Sequence, residues 1–439
     1  MQILSFIGIL LAVAAFMYLG YKGYNIIFLG LAASIVVMVF GRLPIIETLT
    51  ETYMGGFVGY AKKQYLMFLL GAVFARLMSN SGAAAKIGLT LSGVFRKAKT
   101  RKMQRVLAIL SLPAMNMIFT YGGVSSMLAV FIMVPIAKNM FEELDIPWKL
   151  YGFASFGVAT VTSGFLPGSP QATNVTPIAY LGTDAMAGAT LGIICSILAI
   201  VMAIAFCFFE VNRFEKSEEG FLPSGEMINK EIIKLPEAPD FNVFLALVPP
   251  VVLLVVLNVL KQNVVTALAA GCLMVVILFW KHLDIKTSLA QGVPNGVITV
   301  TAICAAVGFG STVAATPGYQ FVLDMLDRVP GSPAYQIWVA VNMCSFVCGS
   351  SQSGVGVALQ TMGERFMASG IPAPAIHRLC SISACGLDTM PHSIGVINSC
   401  AQCKLTHQQI YYYFFVLTVI IPFICGLFCA TLITLGIGV

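Results

Sequence analysis

From Met186 to Phe209 the chain runs for 24 residues without a charged side chain. As a helix rising 1.5 Å per residue, such a run is about 36 Å long, enough to cross the ~30 Å hydrocarbon core of a bilayer. Other apolar runs recur at Ile3–Leu19, Asn25–Phe40, Tyr65–Met78 (with Arg76 near its end), Phe241–Leu260, Val264–Trp280, Val297–Val313 and Tyr411–Leu435. In lipid every backbone N–H and C=O must find a partner inside the protein, which leaves helices or closed barrels. Barrel strands would alternate over ~10 residues, and these runs do not. Charged residues make up only 10% of the chain, against roughly 25% in soluble domains. The chain therefore reads as an all-α polytopic membrane protein. Its net charge of +6 gives no sign of a nucleic-acid partner; the placement of charge matters instead, because it orients the spans. The twelve cysteines lie scattered in apolar sequence. Cys400 and Cys403 lack a second pair, so no metal or cofactor site is expected. Ile3–Leu19 has no basic flank and reads as an uncleaved first span.

Four segments break the pattern. In 106–137 the break is Tyr121-Gly122-Gly123-Val124-Ser125-Ser126, and in 337–363 it is Gly349-Ser350-Ser351-Gln352-Ser353-Gly354; both read as re-entrant hairpins. In 152–181 the run Pro167-Gly168-Ser169-Pro170 forbids continuous helix, as Pro391 does in 377–403. The breaks share an offset. Ser125-Ser126 and Ile146-Pro147 recur 225 positions later, and Pro167, Ser169 and Asn174 recur 224 later as Pro391, Ser393 and Asn398. The chain thus divides into a first repeat at 1–209, a cytoplasmic linker at 210–240 and a second repeat at 241–439, each with five spans, one of them broken. Pro44–Tyr60 and Lys281–Asn295 read as interfacial arms.

Charge sets the orientation. Ser81–Arg105 carries seven basic and no acidic residues and belongs in the cytoplasm. Its counterpart Ala314–Tyr335 sets Arg328 against Asp324 and Asp327 and falls outside. The two repeats are then inverted. Inverted repeats with Gly/Pro-broken segments in matching places point to the central site of a secondary transporter. A half-helix that starts at mid-membrane offers free N–H groups and a positive dipole end to a carboxylate. The candidate binding residues are Ser125, Ser126, Ser169, Asn174, Ser350, Ser351, Ser353, His392, Ser393 and Asn398. Asp388 stands apart as the acidic residue placed well inside an apolar segment. A carboxyl out of water favours its neutral form, as a proton carrier requires; capping of the half-helix after Pro391 is the alternative. His377-Arg378 reads as an interfacial anchor at the outer face. The serine hydroxyls would also suit sodium, and an intramembrane hydrolase is the rival from another class. Against the hydrolase, the polar residues come in repeat-related pairs, whereas a catalytic set would be asymmetric.

Leu387-Asp388-Thr389-Met390-Pro391-His392-Ser393, followed by Leu405-Thr406-His407, resembles the carboxy-terminal signature of the gluconate permease (GntP) family. The run Leu166-Pro167-Gly168-Ser169-Pro170-Gln171 with Asn174 resembles its hydroxybutyrate-permease-like branch. The resemblance implies the ion-transporter fold, an elevator motion and a homodimer. It also implies proton-coupled uptake of a small hydroxy-monocarboxylate, such as 3-hydroxybutyrate, glycerate or gluconate, across the bacterial inner membrane.

Overall fold

A computed structural model describes residues 2–22, 24–124, 126–230 and 240–439. Apart from the single helical turn Glu226–Asn229 in the linker, the helices among these residues fall into two runs of nine, broken helices being given one label over each unbroken limb. The first run is α1 Gln2–Tyr21, α2 Ile26–Gly41, α3 Ile45–Asn80, α4 Ala83–Lys97, α5 Arg101–Tyr121, α6 Ser126–Leu144, α7 148–165, α8 172–181 and α9 Ala189–Lys216. The second is α10 Val243–Val259, α11 Val264–Phe279, α12 Ile285–Ala314, α13 Pro317–Asp327, α14 Pro333–Cys348, α15 Ser351–Met367, α16 Ala373–Ala384, α17 Ile394–Cys403 and α18 His407–Thr434. Each element therefore has its counterpart nine places on. By length and apolarity six of the described helices can cross a membrane, or seven if the bent pair α3–α4 counts as one span. Five of the six coincide with expected spans, and the sixth is the hairpin limb α5.

The packing repeats as the order does. α1 lies on α2 as α10 lies on α11, α2 lies on α12 as α11 lies on α3, and α1 meets α13 as α10 meets α4. The hairpin α5–α6 packs within its half as α14–α15 does. Two pairs close on themselves: α3 with α12, and α7 with α16. The first pair centres a framework of α1–α3 and α10–α12, and the second centres a core of α5–α9 and α14–α18.

Small residues bring α3 and α12 together, as they do where lipid removes the hydrophobic drive between helices. A Cβ added at Gly296 would stand 2.9 Å from Leu69 Cα, and one at Gly292 would stand 3.0 Å from Val73 Cα. Gly308 faces Tyr53. The partner number falls as the α12 number rises, so the two counterparts run antiparallel.

The interfacial arms expected over Pro44–Tyr60 and Lys281–Asn295 do not exist as separate elements. Each is continuous with the span that follows, as α3 and α12. Pro44 precedes α3 and so acts as a start signal, while Gly55, Gly56 and Gly59 are tolerated inside the helix. At the head of α12 the Asp284 side chain accepts from Thr287 N at 3.1 Å. The Thr287 hydroxyl and N–H together hold the Asp284 carboxyl below the usual carboxylate range. The segment Ser81–Arg105 is not a loop but carries α4. Of the linker, residues 231–239 lie outside the described residues; its first part extends α9 to Lys216. Glu215 pairs with Arg105 at 3.2 Å and Glu219 with Lys149 at 2.6 Å, so the acidic start of the linker sits over the basic ends of the core.

Core and framework touch through a few polar contacts. Tyr60 OH lies 3.3 Å from Thr176 Oγ1, and Lys63 Nζ lies 3.4 Å from the centre of the Tyr180 ring. Asn258 Nδ2 donates to Gly168 O at 3.0 Å, and Lys261 pairs with Asp184 at 2.6 Å.

Candidate functional site

Residues 166–171 cannot be helical, with prolines at 167 and 170, and the chain recovers its lost bonds through neighbours. Gly168, with φ +77°, bonds through its N–H to Ala185 O at 2.8 Å. Ser169 Oγ donates to Thr162 O and accepts from Gln171 N. The tip of the first hairpin braces the break from outside: Tyr121 OH donates to Pro167 O at 2.8 Å, and Gln171 Nε2 to Thr120 O at 2.6 Å. In the second break Thr389 Oγ1 lies 2.6 Å from Thr418 Oγ1, and His392 Nε2 lies 2.9 Å from Phe346 O. The His392 ring rests on Gly349, whose φ of +57° turns the second hairpin.

The two breaks meet where α7 crosses α16. At the crossing Gly164 approaches the Ser381 backbone so closely that an added Cβ would stand 2.6 Å from its carbonyl carbon. This approach gathers hydroxyls from three elements. Ser163 Oγ bonds Thr173 Oγ1 at 2.9 Å, and Ser351 Oγ lies 3.3 Å from Thr173 Oγ1 and 3.4 Å from Ser163 Oγ. Asp388 joins them. Its carboxyl faces the hydroxyl and N–H of Ser351 and the hydroxyl of Thr389. Its residue is 5% exposed, and its Oδ1 has no hydrogen-bond partner. No described Lys, Arg or His forms an ion pair with it. Ser351 opens the 17-residue helix α15, so the carboxyl sits at a positive dipole end. It does not cap the half-helix after Pro391; that N-cap is Ser393.

A cavity of about 250 Å³ adjoins the cluster. Its framework wall is Met67 and Phe68 of α3, Leu268 of α11 and Thr299 of α12, and its core wall includes Gln171 and Gln352. Ligand pockets commonly run to roughly 300–1,000 Å³, so this one falls just short of that range. Ser351 and Thr173 are the sequence neighbours of two wall residues, Gln352 and Ala172. The hydroxyls and the carboxyl are buried beside this wall and do not themselves line the cavity.

The expected binding residues separate into groups. Ser351 is at the centre, with Ser350 as the N-cap of α15, accepting from Ser353 N at 3.4 Å, and Ser353 buried in its first turn. Asn174 is a brace: its Nδ2 donates to Ser169 O at 2.8 Å and Ala185 O at 3.1 Å, and its Oδ1 faces His377 Nε2 at 3.3 Å. Ser169 is likewise bound within its own break. His392 and Ser393 are buried at the second break, and Asn398 is half-buried on α17. Ser125 lies outside the described residues, and of Ser126 only the backbone at the start of α6 is described. Ser163, Thr173, Thr389, Gln171 and Gln352 were missed. The repeat offset held the signal for the first, because Ser163 precedes Asp388 by 225 positions.

His377 and Arg378 overturn the expectation of an interfacial anchor. Both are 0% exposed. Thr183 Oγ1 lies 2.7 Å from His377 Nδ1. Arg378 donates to Ala187 O at 2.8 and 3.1 Å, to Gly164 O at 3.0 Å and to Phe165 O at 3.3 Å. It replaces the helix partners that α7 loses at its broken end, which the adjacency to Pro374 and a span start had disguised as a surface position.

Comparison with known proteins follows this geometry closely. A family model described as GntP family permease matches residues 2–280. The chain is 28% identical to the uncharacterized transporter YxjC of Bacillus subtilis (strain 168), over 95% of this chain and 96% of that one. It is 28% identical to the gluconate permease of Bacillus licheniformis, over 48% of this chain and 44% of that one. It is also 28% identical to the Gnt-II system L-idonate transporter of Escherichia coli (strain K12), over 42% and 39%. Among solved structures, the YdaH transporter of Alcanivorax borkumensis superposes with a TM-score of 0.58, covering 89% of each chain at 11% identity, a likeness of fold alone.

Proposed function

Given that the chain belongs to the GntP family of permeases, we propose that it is a proton-coupled symporter taking a small hydroxy-monocarboxylate into a bacterial cell. It is a transporter and not an enzyme, so the hydrolase alternative falls. The observation that carries the reading is Asp388: a buried carboxyl with an unpartnered acceptor oxygen, at the head of α15, the helix whose Gln352 lines the cavity. Ionised, it occupies the N–H and hydroxyl of Ser351 that an incoming carboxylate would need. Protonated, it gives up its hold and leaves the helix terminus to the substrate. Proton and substrate then bind together because two anions cannot share one terminus. The relatives' names, gluconate permease and L-idonate transporter, support an organic acid bearing hydroxyls. We take 3-hydroxybutyrate, glycerate and gluconate as the candidates to compare.

The test is uptake of radiolabelled 3-hydroxybutyrate, lactate, glycerate and gluconate into proteoliposomes under an imposed pH gradient. Uphill accumulation is expected with sodium absent from both sides. Accumulation that requires a sodium gradient and ignores pH would overturn the reading, and would assign the oxygens of Ser163, Thr173 and Ser351 to sodium. Ser351→Ala removes a hydrogen bond to a charged group, worth roughly 1.5–3 kcal/mol. The substrate concentration for half-maximal counterflow is expected to rise at least ten-fold on that basis. An unchanged value would move the binding site away from α15.

The two repeats are inverted on this reading, and the core moves against the framework as an elevator, with two chains forming a dimer in the bacterial inner membrane. The antiparallel run of α3 and α12 supports the inversion, as does the pairing of the linker with Arg105 and Lys149 on the basic side. Single cysteines in a cysteine-free background should react in Ser81–Arg105 only from inside and in Ala314–Tyr335 only from outside. Labelling of both from the same side would rule the inversion out.

A further inference from the structure

Among the described residues the core buries one carboxyl and one guanidinium that lack an ion-pair partner, Asp388 and Arg378. Arg378 donates to backbone carbonyls: those of Gly164, Phe165 and Ala187. Carbonyl dipoles at a helix end ease a positive charge but do not cancel it. A guanidinium does not give up its proton in proteins. Both groups lie within electrostatic range of the Cys385 thiol.

We propose that Arg378 sets the coupling ratio: the core crosses the membrane only when its buried charges sum to zero, which fixes transport at one proton per monocarboxylate with no net charge moved. The inference rests on Asp388 being the proton carrier. Two states of the core are then neutral. Empty, ionised Asp388 balances Arg378. Loaded, protonated Asp388 leaves Arg378 to balance the substrate carboxylate. The other two, empty with Asp388 protonated or loaded with Asp388 ionised, carry a net charge into a medium that opposes it. Slippage of proton or substrate alone is blocked by the same charge that makes the coupled step cheap. Dicarboxylates are excluded as dianions for the same reason.

The remaining titratable groups do not disturb the sum. Glu210 of α9, also buried, is balanced by Arg213 at 3.3 Å. His377 donates from Nε2 to Asn174 Oδ1, and the Thr183 hydroxyl 2.7 Å from Nδ1 can donate in turn, so a neutral ring satisfies both contacts. His392 needs only one N–H, to Phe346 O. The groups facing Arg378 are Tyr121 of α5, Cys195 of α9, Cys385 beyond α16 and Cys429 of α18; phenols and thiols are uncharged near neutral pH. Asp388 faces Cys385 and the hydroxyls of Ser351 and Thr389.

Wild-type protein in proteoliposomes tests this with the four radiolabelled monocarboxylates named above. With the potential clamped to zero, an inside-alkaline pH gradient should drive accumulation; its failure would sink proton coupling itself. With no pH gradient, an inside-negative potassium diffusion potential should drive none. Accumulation there would leave proton coupling standing and overturn the one-to-one, charge-neutral cycle. Radiolabelled malate and succinate should not be accumulated at neutral pH, and their uptake as dianions would likewise overturn it. Arg378→Lys should keep uptake insensitive to potential. Arg378→Gln that still performs counterflow should now move a net negative charge, with uptake slowed several-fold by inside-negative potential and raised by the opposite polarity. Insensitivity to potential in that variant would show that Arg378 is a brace alone, and the wild-type measurements decide the ratio even where the variant does not fold.

Discussion

Asp388→Asn is expected to abolish pH-driven accumulation while leaving exchange between preloaded vesicles near the wild-type rate. The amide keeps the shape of the carboxyl and can still meet Ser351 and Thr389, but it cannot ionise. The loaded core of the variant matches the protonated wild-type state and crosses as before. The empty core cannot lose its proton equivalent, so its return is slowed and net uptake stops. Each 1.4 kcal/mol added to that return step would cost ten-fold in rate, and an uncompensated charge in the bilayer interior costs at least ~2.5 kcal/mol. Net uptake should therefore fall by roughly two orders of magnitude or more on that estimate. Wild-type accumulation in this variant would leave Asp388 a structural residue.

The second large effect is expected at Gly164. Alanine there would place its methyl 2.6 Å from the Ser381 carbonyl carbon and 2.9 Å from Cys385 Sγ. The nearest obstacle is the Ser381 backbone, which cannot swing away as a side chain can. Overpacking of a core costs ~1–3 kcal/mol where side chains adjust, and here the upper end or beyond is expected. The crossing of α7 and α16 would open and part Ser163 from Ser351, which sit 3.4 Å apart. Gly164→Ala should lower the melting temperature in detergent and remove binding together. A variant as stable and active as the wild type would mean that the two helices cross less tightly than described.

Legibility followed periodicity. Helices that bury one uniform apolar surface in lipid announce themselves by length, which is why α1, α9, α11 and α18 were foreseeable. The breaks were foreseeable because proline and glycine act locally, through a missing donor and a permitted φ. What failed was anything set by tertiary contact. Polar residues in Pro44–Tyr60 looked interfacial, yet Tyr53 packs on Gly308 and Tyr60 on Thr176, so the helix simply continues. Arg378 sits beside prolines at the start of a span, where a charge ordinarily reaches for water; only the broken end of α7, 214 residues away in sequence, explains its burial. In the candidate site, Asp388 and Ser351 stood out as an isolated charge and a turn serine. Ser163 and Thr173 did not, since single hydroxyls in apolar runs usually bond their own helix. Asn174 was over-read for the opposite reason: an amide at a break can serve the backbone as readily as a ligand.

Beside the apolar packing of α12 on α15, the polar contacts described between core and framework fall on elements that flank the first break: Tyr60 with Thr176, Lys63 with Tyr180, Asn258 with Gly168 and Lys261 with Asp184. In the elevator cycle proposed above such fasteners would be released in one stroke and remade in the next. Individually they are weak, about 0.5–1.5 kcal/mol for a hydrogen bond and less for an exposed ion pair. Together they set a resting position without fixing it. Weakness is then a requirement of turnover: a clasp strong enough to hold the core firmly in place would stabilise the protein and stall the pump.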